Sequence, residues 1–164
     1  MSNGNKVAKI KWRAINRVKP GMPINYKINA PVSSVQFIEL LASSSLGERR
    51  PIDDSACIEG MLANSNLVVS AWDGSELVGI ARSVTDFHYA CYLSDLAVKA
   101  SHQRCGIGRR LQSLTQDQLG PKCKLILIAA PDANGYYAHV GFEPNPRCWV
   151  LERDKRVIMS DQDV

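Results

Sequence analysis

Residues 93–111 read Leu93-Ser-Asp-Leu-Ala-Val-Lys-Ala-Ser-His-Gln-Arg-Cys-Gly-Ile-Gly-Arg-Arg-Leu111. The apolar residues up to Val98 predict a strand, and the glycines at 106 and 108 open a segment whose apolar residues have helical spacing. Because a helix N-terminus carries unpaired N–H groups and a partial positive charge, it attracts anions. Three arginines add positive charge around the N-terminus of the predicted helix: Arg104, Arg109 and Arg110. The stretch therefore predicts a strand, a phosphate-binding loop and a helix.

The segments before this stretch predict several short strands and two helices. In order, the expected elements are a strand over 24–29, a helix capped by Ser33 or Ser34, a helix capped by Asp53 or Asp54, and strands over 67–72, 77–86 and 91–98. The pair Asp73-Gly74 between two apolar runs is a strong hairpin signal. The last three of these strands are therefore expected to form an antiparallel meander.

The segments after it predict a crossover and a return to the sheet. A helix over 106–119 ends at Gly120-Pro121 and is followed by a continuously apolar strand over 124–130, of the kind that is covered on both faces. A strand, a helix and a strand at this spacing form a right-handed crossover, so the strands at 91–98 and 124–130 should be parallel. A short helix over 134–140 and one or two final strands from Phe142, including 148–151, complete the expectation.

Composition places the chain among globular proteins. Of its 164 residues 45% are apolar and 22% are charged, which excludes wholesale disorder. We find neither a run of about 20 apolar residues that would span a membrane nor a signal peptide. The five cysteines contain no C-x-x-C pair and the three histidines no zinc-binding spacing. We therefore expect reduced thiols, a cytoplasmic location, no metal site and no membrane contact.

The positive charge is concentrated at the front of the chain. Residues 1–29 carry seven lysines and arginines and no acidic residue, whereas residues 30–164 carry 13 basic and 16 acidic side chains. We expect residues 1–21 to form a flexible basic arm and residues 22–164 to form the folded domain. A basic arm with an aromatic residue can bind nucleic acid, but the acidic character of the body favours a solvated tail.

The glycine loop differs from two common phosphate loops. A Walker loop needs Lys-Ser/Thr after its second glycine, and a dinucleotide loop needs a third glycine where Leu111 stands. The pattern Gln103-x-x-Gly106-x-Gly108 after a strand instead resembles the acetyl-coenzyme A site of the GCN5-related N-acetyltransferases (the GNAT family). The segment Tyr136-Tyr-Ala-His-Val-Gly-Phe142 is similar to the closing motif of that family, about 30 residues further on. The resemblance covers about 130 residues.

The resemblance implies a fold class and a cofactor. The fold is an α/β (α+β) GNAT-like single domain with a mixed central sheet, an antiparallel meander, a splayed parallel pair formed by the fourth and fifth strands, and about four helices. The cofactor is acetyl-coenzyme A, whose pantetheine arm would pair with the backbone of the fourth strand and whose pyrophosphate would bind the loop. The implied cofactor-binding residues are Leu96, Ala97, Val98, Gln103, Arg104, Cys105, Gly106, Ile107, Gly108, Arg109, Asn134 and Tyr137.

The reaction needs a proton donor for the departing coenzyme A thiolate. Tyr137 lies four residues before Gly141, as the general acid of the family does. A tyrosine hydroxyl, with an ordinary pKa near 10, is protonated at neutral pH and can donate to a thiolate. For the attacking amine, Asp95 is the favoured general base, with Asp86 and His139 as lesser candidates. A water relay, or no dedicated base, is left open.

The sequence thus predicts an acetyl-coenzyme A-dependent N-acetyltransferase that acts by direct attack of a primary amine in a ternary complex. The alternatives are a non-catalytic acyl-coenzyme A-binding or sensor module and a nucleic-acid-associated protein that uses the basic arm. The acceptor, a small molecule or a peptide, is left open. The acidic residues Glu48, Asp53, Asp54 and Asp86 favour a cationic amine, whereas Arg49 and Arg50 favour an acceptor with a carboxylate. A homodimer through an exposed last strand is also left open.

Overall fold

The structure, a computed structural model, describes residues 23–159. Its strands are β1 (Asn25–Ile28), β2 (Leu67–Asp73), β3 (Glu76–Thr85), β4 (Ala90–Val98) and β5 (Lys124–Ile126). Its α-helices are α1 (Ser34–Ala42), α2 (Ser55–Ala63), α3 (Ile107–Gln116) and α4 (Asn134–His139). Short 3-10 turns cover Gly47–Arg49, Ala100–His102 and Pro131–Ala133. The described chain forms two compact units, which meet in sequence between Ile128 and Ala129.

The first unit contains one mixed sheet with the strand order β1-β2-β3-β4-β5. The first four strands are antiparallel neighbours, and β5 pairs with β4 in parallel. Because α3 connects β4 to β5, the parallel pair is the expected crossover. These observations confirm the predicted fold class: a mixed sheet, a meander, a parallel pair of the fourth and fifth strands, and four helices.

Two apolar clusters cover the two faces of the sheet. On one face α1 and α2 bury Phe37, Leu41 and Ile58 against the strands. On the other face α3 buries Ile107 and Leu111. The two central strands, β2 and β3, are buried along nearly their whole length, as expected for strands that are covered on both sides.

Local sequence signals explain where the helices begin. Ser33 caps α1, and its side chain forms a capping box with Gln36. The Asp54 carboxylate accepts a hydrogen bond from the backbone N–H of Cys57 at 2.9 Å and caps α2.

Gly79 lets α3 approach β3 closely, because a Cβ atom there would lie 3.1 Å from side-chain carbons of both Ile107 and Leu111.

The end of the chain departs from the predicted strands. The strand expected over 124–130 ends at Ile126, and Ile126 is 46% exposed, so the prediction of a strand buried on both faces is wrong. The described residues from 142 to 159 contain no strand, although 148–151 were predicted to form one. The backbone N–H groups of Phe142, Cys148 and Lys155 donate hydrogen bonds within local turns, and Trp149 is 92% exposed. Apolar alternation predicts a strand only when a partner strand completes its hydrogen bonds.

The predicted basic arm, residues 1–21, lies outside the described residues. Within residues 23–159 the longest helix, α3, has ten residues, and none of the helices could cross a bilayer.

Candidate functional site

The parallel pair of strands separates shortly after it forms. The β4–β5 ladder has three residue pairs, from Ala90 with Lys124 to Tyr92 with Ile126. Strand β4 then continues to Val98 along β3, while β5 has ended. The second half of β4 therefore presents one backbone edge that β5 does not cover.

A β-bulge in β4 decides which residues form that edge. Arg82 of β3 lies opposite Asp95, whereas the next residue, Ser83, lies opposite Leu93. Ser94 is therefore an extra residue, and the alternation of the strand shifts by one position. Leu93 before the bulge and Leu96 after it both pack on the α3 face.

The hydrogen bonds at the end of β4 show the direction of its backbone groups. The Lys99 N–H donates to the Val78 carbonyl of β3 at 2.9 Å. Because backbone direction alternates along a strand, Ala97 also faces β3, and Leu96 and Val98 face away from it. Of the three residues predicted to pair with the pantetheine arm, Leu96 and Val98 have the required orientation. The backbone of Ala97 does not have it, and its side chain is buried.

The loop between β4 and α3 is fixed at its first half. The side-chain amide nitrogen of Gln103, Nε2, donates to the Val98 carbonyl at 3.1 Å. His102 is 6% exposed, and its ring nitrogens lie 2.9 Å from Ser101 Oγ and 3.3 Å from Asp73 Oδ2. Sequence analysis did not identify His102, because no local pattern shows that the hairpin turn at Asp73 and this loop are neighbours.

The second half of the loop opens the N-terminus of α3. Arg104 and Gly106 have positive φ angles of 61° and 82°. Gly106 is the N-cap and brings no side chain to the first-turn N–H groups. Ile107 is buried and fixes the helix from below, so it can offer a ligand only its backbone. The other predicted loop residues are exposed or, for one of them, half-buried: Gln103, Arg104, Cys105, Gly106, Gly108 and Arg109.

Asp95, the predicted base, lies in a buried ion-pair cluster. It is 1% exposed, and its two carboxylate oxygens each accept a hydrogen bond at 2.5 Å, one from Arg50 Nε and one from Arg82 Nε. A carboxylate with both oxygens engaged in this way is poorly arranged to take a proton from a substrate. The sequence analysis missed Arg82; its signal is a charged residue in the middle of an otherwise buried strand.

Asp86, a lesser candidate for the base, has a structural task. Its Oδ1 accepts hydrogen bonds from the backbone N–H groups of Tyr89 at 2.7 Å, Ala90 at 3.0 Å and His88 at 2.9 Å. These bonds, that of Tyr89 first, lower the pKa of Asp86 to about 2. The carboxylate closes the loop between β3 and β4 as an anion, which makes it a weak base at neutral pH.

The second unit carries the remaining predicted residues on α4. Tyr137 is half-buried, with edge-to-face ring contacts at 5.3 Å to Tyr136 and 5.5 Å to Phe142. Burial, and to a smaller degree Tyr136, raises the pKa of the Tyr137 hydroxyl above its ordinary value. Asn134 is the first residue of α4 and is exposed, as is His139 at its end. The Tyr137 hydroxyl is thus a proton donor at neutral pH.

Comparison with known proteins assigns the chain to a family. A family model for the acetyltransferase (GNAT) domain matches residues 49–148. The chain belongs to the GNAT family. Among curated protein sequences none matches significantly, so the family model and solved structures carry the comparison.

Solved structures of bacterial acetyltransferases have the same fold. GNAT protein SP0256 of Streptococcus pneumoniae TIGR4 is 24% identical, with a TM-score of 0.64 over 79% of this chain and 98% of its own. SA2161 of meticillin-resistant Staphylococcus aureus, a probable acetyltransferase, is 20% identical, with a TM-score of 0.64 over 82% and 100%. Aminoglycoside N-acetyltransferase AAC(6')-Iy, solved with CoA, is 16% identical, with a TM-score of 0.62 over 82% and 97%. At these identities the likeness shows the fold.

Among residues 23–159, no group of three or more histidine, cysteine, aspartate or glutamate side chains is arranged to hold a metal ion.

Proposed function

We propose that the protein is an acetyl-coenzyme A-dependent N-acetyltransferase that transfers the acetyl group directly to a primary amine in a ternary complex. One observation carries the proposal: the uncovered edge of β4 is followed, after the loop over 99–106, by an open, glycine-capped helix N-terminus. Family membership supports it, and so does the shared fold with an acetyltransferase solved with CoA.

The described residues fit acetyl-coenzyme A. Its pantetheine arm contains amide groups, which can pair with the backbone of Leu96 and with the Val98 N–H as an added strand would, whereas the Val98 carbonyl already accepts a hydrogen bond from Gln103. Its pyrophosphate is a compact anion that suits the backbone N–H groups at the start of α3, where Gly106 and Gly108 leave room for it. Arg104 and Arg109 are exposed beside this N-terminus and would add charge-assisted contacts.

We propose Tyr137 as the general acid of the reaction. The departing thiolate of coenzyme A needs a proton, and a hydroxyl whose pKa is raised above 10 keeps its proton throughout the physiological range. Phenylalanine would retain the ring contacts with Tyr136 and Phe142 while removing that proton. Asn134 is proposed as a hydrogen-bonding partner of the cofactor arm. Asp95 is not proposed as the base, because both of its oxygens are occupied, and the amine proton is assigned to solvent water.

The acceptor is proposed only as a primary amine. AAC(6')-Iy is an aminoglycoside acetyltransferase, and at 16% identity this name does not carry over to the present chain. Arg50, which the sequence offered as a partner for an acceptor carboxylate, already binds Asp95 and Ser94. The remaining exposed acids, Glu48, Asp53 and Asp54, favour a cationic amine.

The proposal is tested first by calorimetric titration of the protein with acetyl-coenzyme A, with coenzyme A and NADH as controls. We expect saturable binding of the first two ligands at one site per chain and no response to NADH. A folded, ligand-free protein that binds neither coenzyme would overturn the proposed function. Binding without thiol release in a broad amine screen would favour a non-catalytic acyl-coenzyme A module.

The chemistry is tested by Tyr137→Phe, with Tyr136→Phe as the matched control. Loss of a general acid lowers kcat by about 10²- to 10⁴-fold, and we expect Tyr137→Phe to do so without weakening the binding of coenzyme A. Since the pKa of Tyr137 is raised, the wild-type rate should fall on the alkaline side only above about pH 10. Tyr136→Phe should keep the wild-type rate. Equal rates in the two variants would remove Tyr137 from the mechanism.

A further inference from the structure

The buried cluster beside β4 connects two strands of the sheet with helix α2. Arg82 of β3 is 5% exposed and donates from Nε to Asp95 at 2.5 Å. Its Nη1 donates to the Met61 carbonyl of α2 at 3.2 Å and to Ser65 Oγ at 2.8 Å. Its Nη2 donates to Ser94 Oγ at 2.8 Å. Arg82 therefore ties the end of α2 to the bulge of β4.

Arg50 holds the same bulge from the other side. It follows the 3-10 turn Gly47–Arg49 and reaches β4 with a side chain that is 26% exposed. Its Nε donates to Asp95 at 2.5 Å, and its Nη2 donates to the Ser94 carbonyl at 2.8 Å. A bulge leaves its extra residue without a ladder partner. Arg50 thus satisfies the carbonyl of the extra residue, Ser94.

The bulge reverses the direction of the β4 backbone. Before it, the Ala90 carbonyl faces β3, where it accepts a hydrogen bond from the Asp86 N–H at 3.2 Å. After it, the Lys99 N–H faces β3. Even-numbered residues such as Ala90 therefore face β3 before the bulge, and odd-numbered residues such as Lys99 face β3 after it. In a strand without the bulge, Leu96 and Val98 would point their backbone groups at β3. The bulge turns them to the uncovered edge.

We infer that the Arg50–Asp95–Arg82 cluster positions the uncovered edge of β4 for the acyl-coenzyme A arm, with Arg50 as the accessible positioning residue. This inference rests on the proposed function. It assigns Asp95 to positioning: its carboxylate joins the two guanidinium groups, and they hold the bulge by the carbonyl and the hydroxyl of Ser94. The same contacts link the segment before α2 to β4.

The test compares Arg50→Met with Arg49→Met. Both variants remove one positive charge at neighbouring positions, but the Arg49 side chain is exposed, and Arg50 contacts the backbone carbonyl of Arg49, which the substitution of Arg49 keeps. Calorimetry measures the dissociation constant of coenzyme A, and ¹H–¹⁵N spectra of the free protein report the Leu96 and Val98 amides. We expect Arg50→Met to weaken binding about tenfold or more, as loss of charge-assisted hydrogen bonds does, and to shift both amide signals. Arg49→Met should change neither.

Arg50→Lys is the conservative variant. Because an ammonium group cannot reproduce the fork that reaches Asp95 and Ser94 together, we expect only partial recovery of binding. It also serves as the test variant if Arg50→Met does not fold. Wild-type binding with unshifted amides in the Arg50 variants, or equal weakening in Arg49→Met, would overturn the positioning inference alone. A folded wild-type protein that does not bind coenzyme A would overturn the proposed function, and the inference with it.

Discussion

Two groups of arginines differ in their partners: one group contacts β4, and the other lies in or beside the loop that follows β4. Arg50 and Arg82 donate to Asp95 and to the bulge at Ser94, mostly out of contact with solvent. Arg104 and Arg109 are exposed at the start of α3, and neither forms an ion pair with another described residue.

The difference separates positioning from binding. A guanidinium whose N–H groups are used within the fold stabilises a particular backbone shape but has little left for a ligand. A guanidinium without a partner keeps its donors, and its charge adds to that of the helix N-terminus. Substitutions of Arg82 and Arg109 test this division directly, and those of Gly106 and Asp86 test the backbone at either end of β4.

The buried arginine should matter most for stability. Arg82→Met leaves Asp95 without one of its two charge partners in a buried site, and breaking a buried pair costs about 3–5 kcal/mol. Chemical denaturation measures this loss. The matched control Arg109→Met removes an exposed arginine and should change the free energy of unfolding by less than about 0.5 kcal/mol. Similar losses in the two variants would erase the proposed distinction.

The glycine N-cap should matter next. Gly106 has a φ angle of 82°, where a side chain costs about 1–2 kcal/mol, although no atom would contact the new Cβ. We expect Gly106→Ala to lower stability by that amount or to weaken coenzyme A binding about tenfold as the loop changes shape. Gly60→Ala is the control, because Gly60 lies inside α2 with free space around it and alanine there should stabilise by about 0.5–1 kcal/mol. A neutral Gly106→Ala variant would show that the loop does not need the left-handed conformation.

The exposed arginines should affect ligand binding and not folding. Arg109→Met removes an exposed positive charge beside the proposed pyrophosphate site, and an exposed pair of opposite charges is worth about 0.2–1 kcal/mol, or up to about fivefold in the dissociation constant of coenzyme A. Because salt screens exposed charges, the difference from wild type should shrink as NaCl is raised in the titration. A salt-independent difference would point to a structural effect of this arginine.

The smallest effect concerns the loop between β3 and β4 at acid pH. The folded-state pKa of Asp86, about 2, is below its ordinary value of 3.8, so its stabilising contribution is complete above about pH 4 and is lost as pH falls through 2. Asp86→Asn should therefore have a lower Tm than wild type at neutral pH, and the two Tm values should converge between pH 4 and pH 2. A constant difference over this range would mean that the Asp86 charge does not act on the loop.

Much of the first unit could be predicted from local signals. The caps at Ser33 and Asp54 and the Asp73-Gly74 turn mark real boundaries, because capping and turn formation depend on neighbours in sequence. The buried strands β2 and β3 were also predicted, because each is a continuous run of residues beside a turn that is local in sequence. The helix predicted over 134–140 is present as α4, but the strands predicted after Ile126 are not, because a strand needs hydrogen bonds from a distant segment that local alternation does not supply.

For the candidate site, the sequence by itself determined the glycine-capped helix, the loop that precedes it and the presence of a tyrosine in a GNAT-like closing motif. These features depend on residues within one turn or one loop of each other. The tertiary structure alone decided the partners of Asp95, the bulge at Ser94 and the direction of the Leu96 and Val98 backbone. Each depends on contacts between segments far apart in the chain, Arg50 with β4 and Arg82 with α2, and a one-residue bulge reverses every orientation that the period-two pattern would assign.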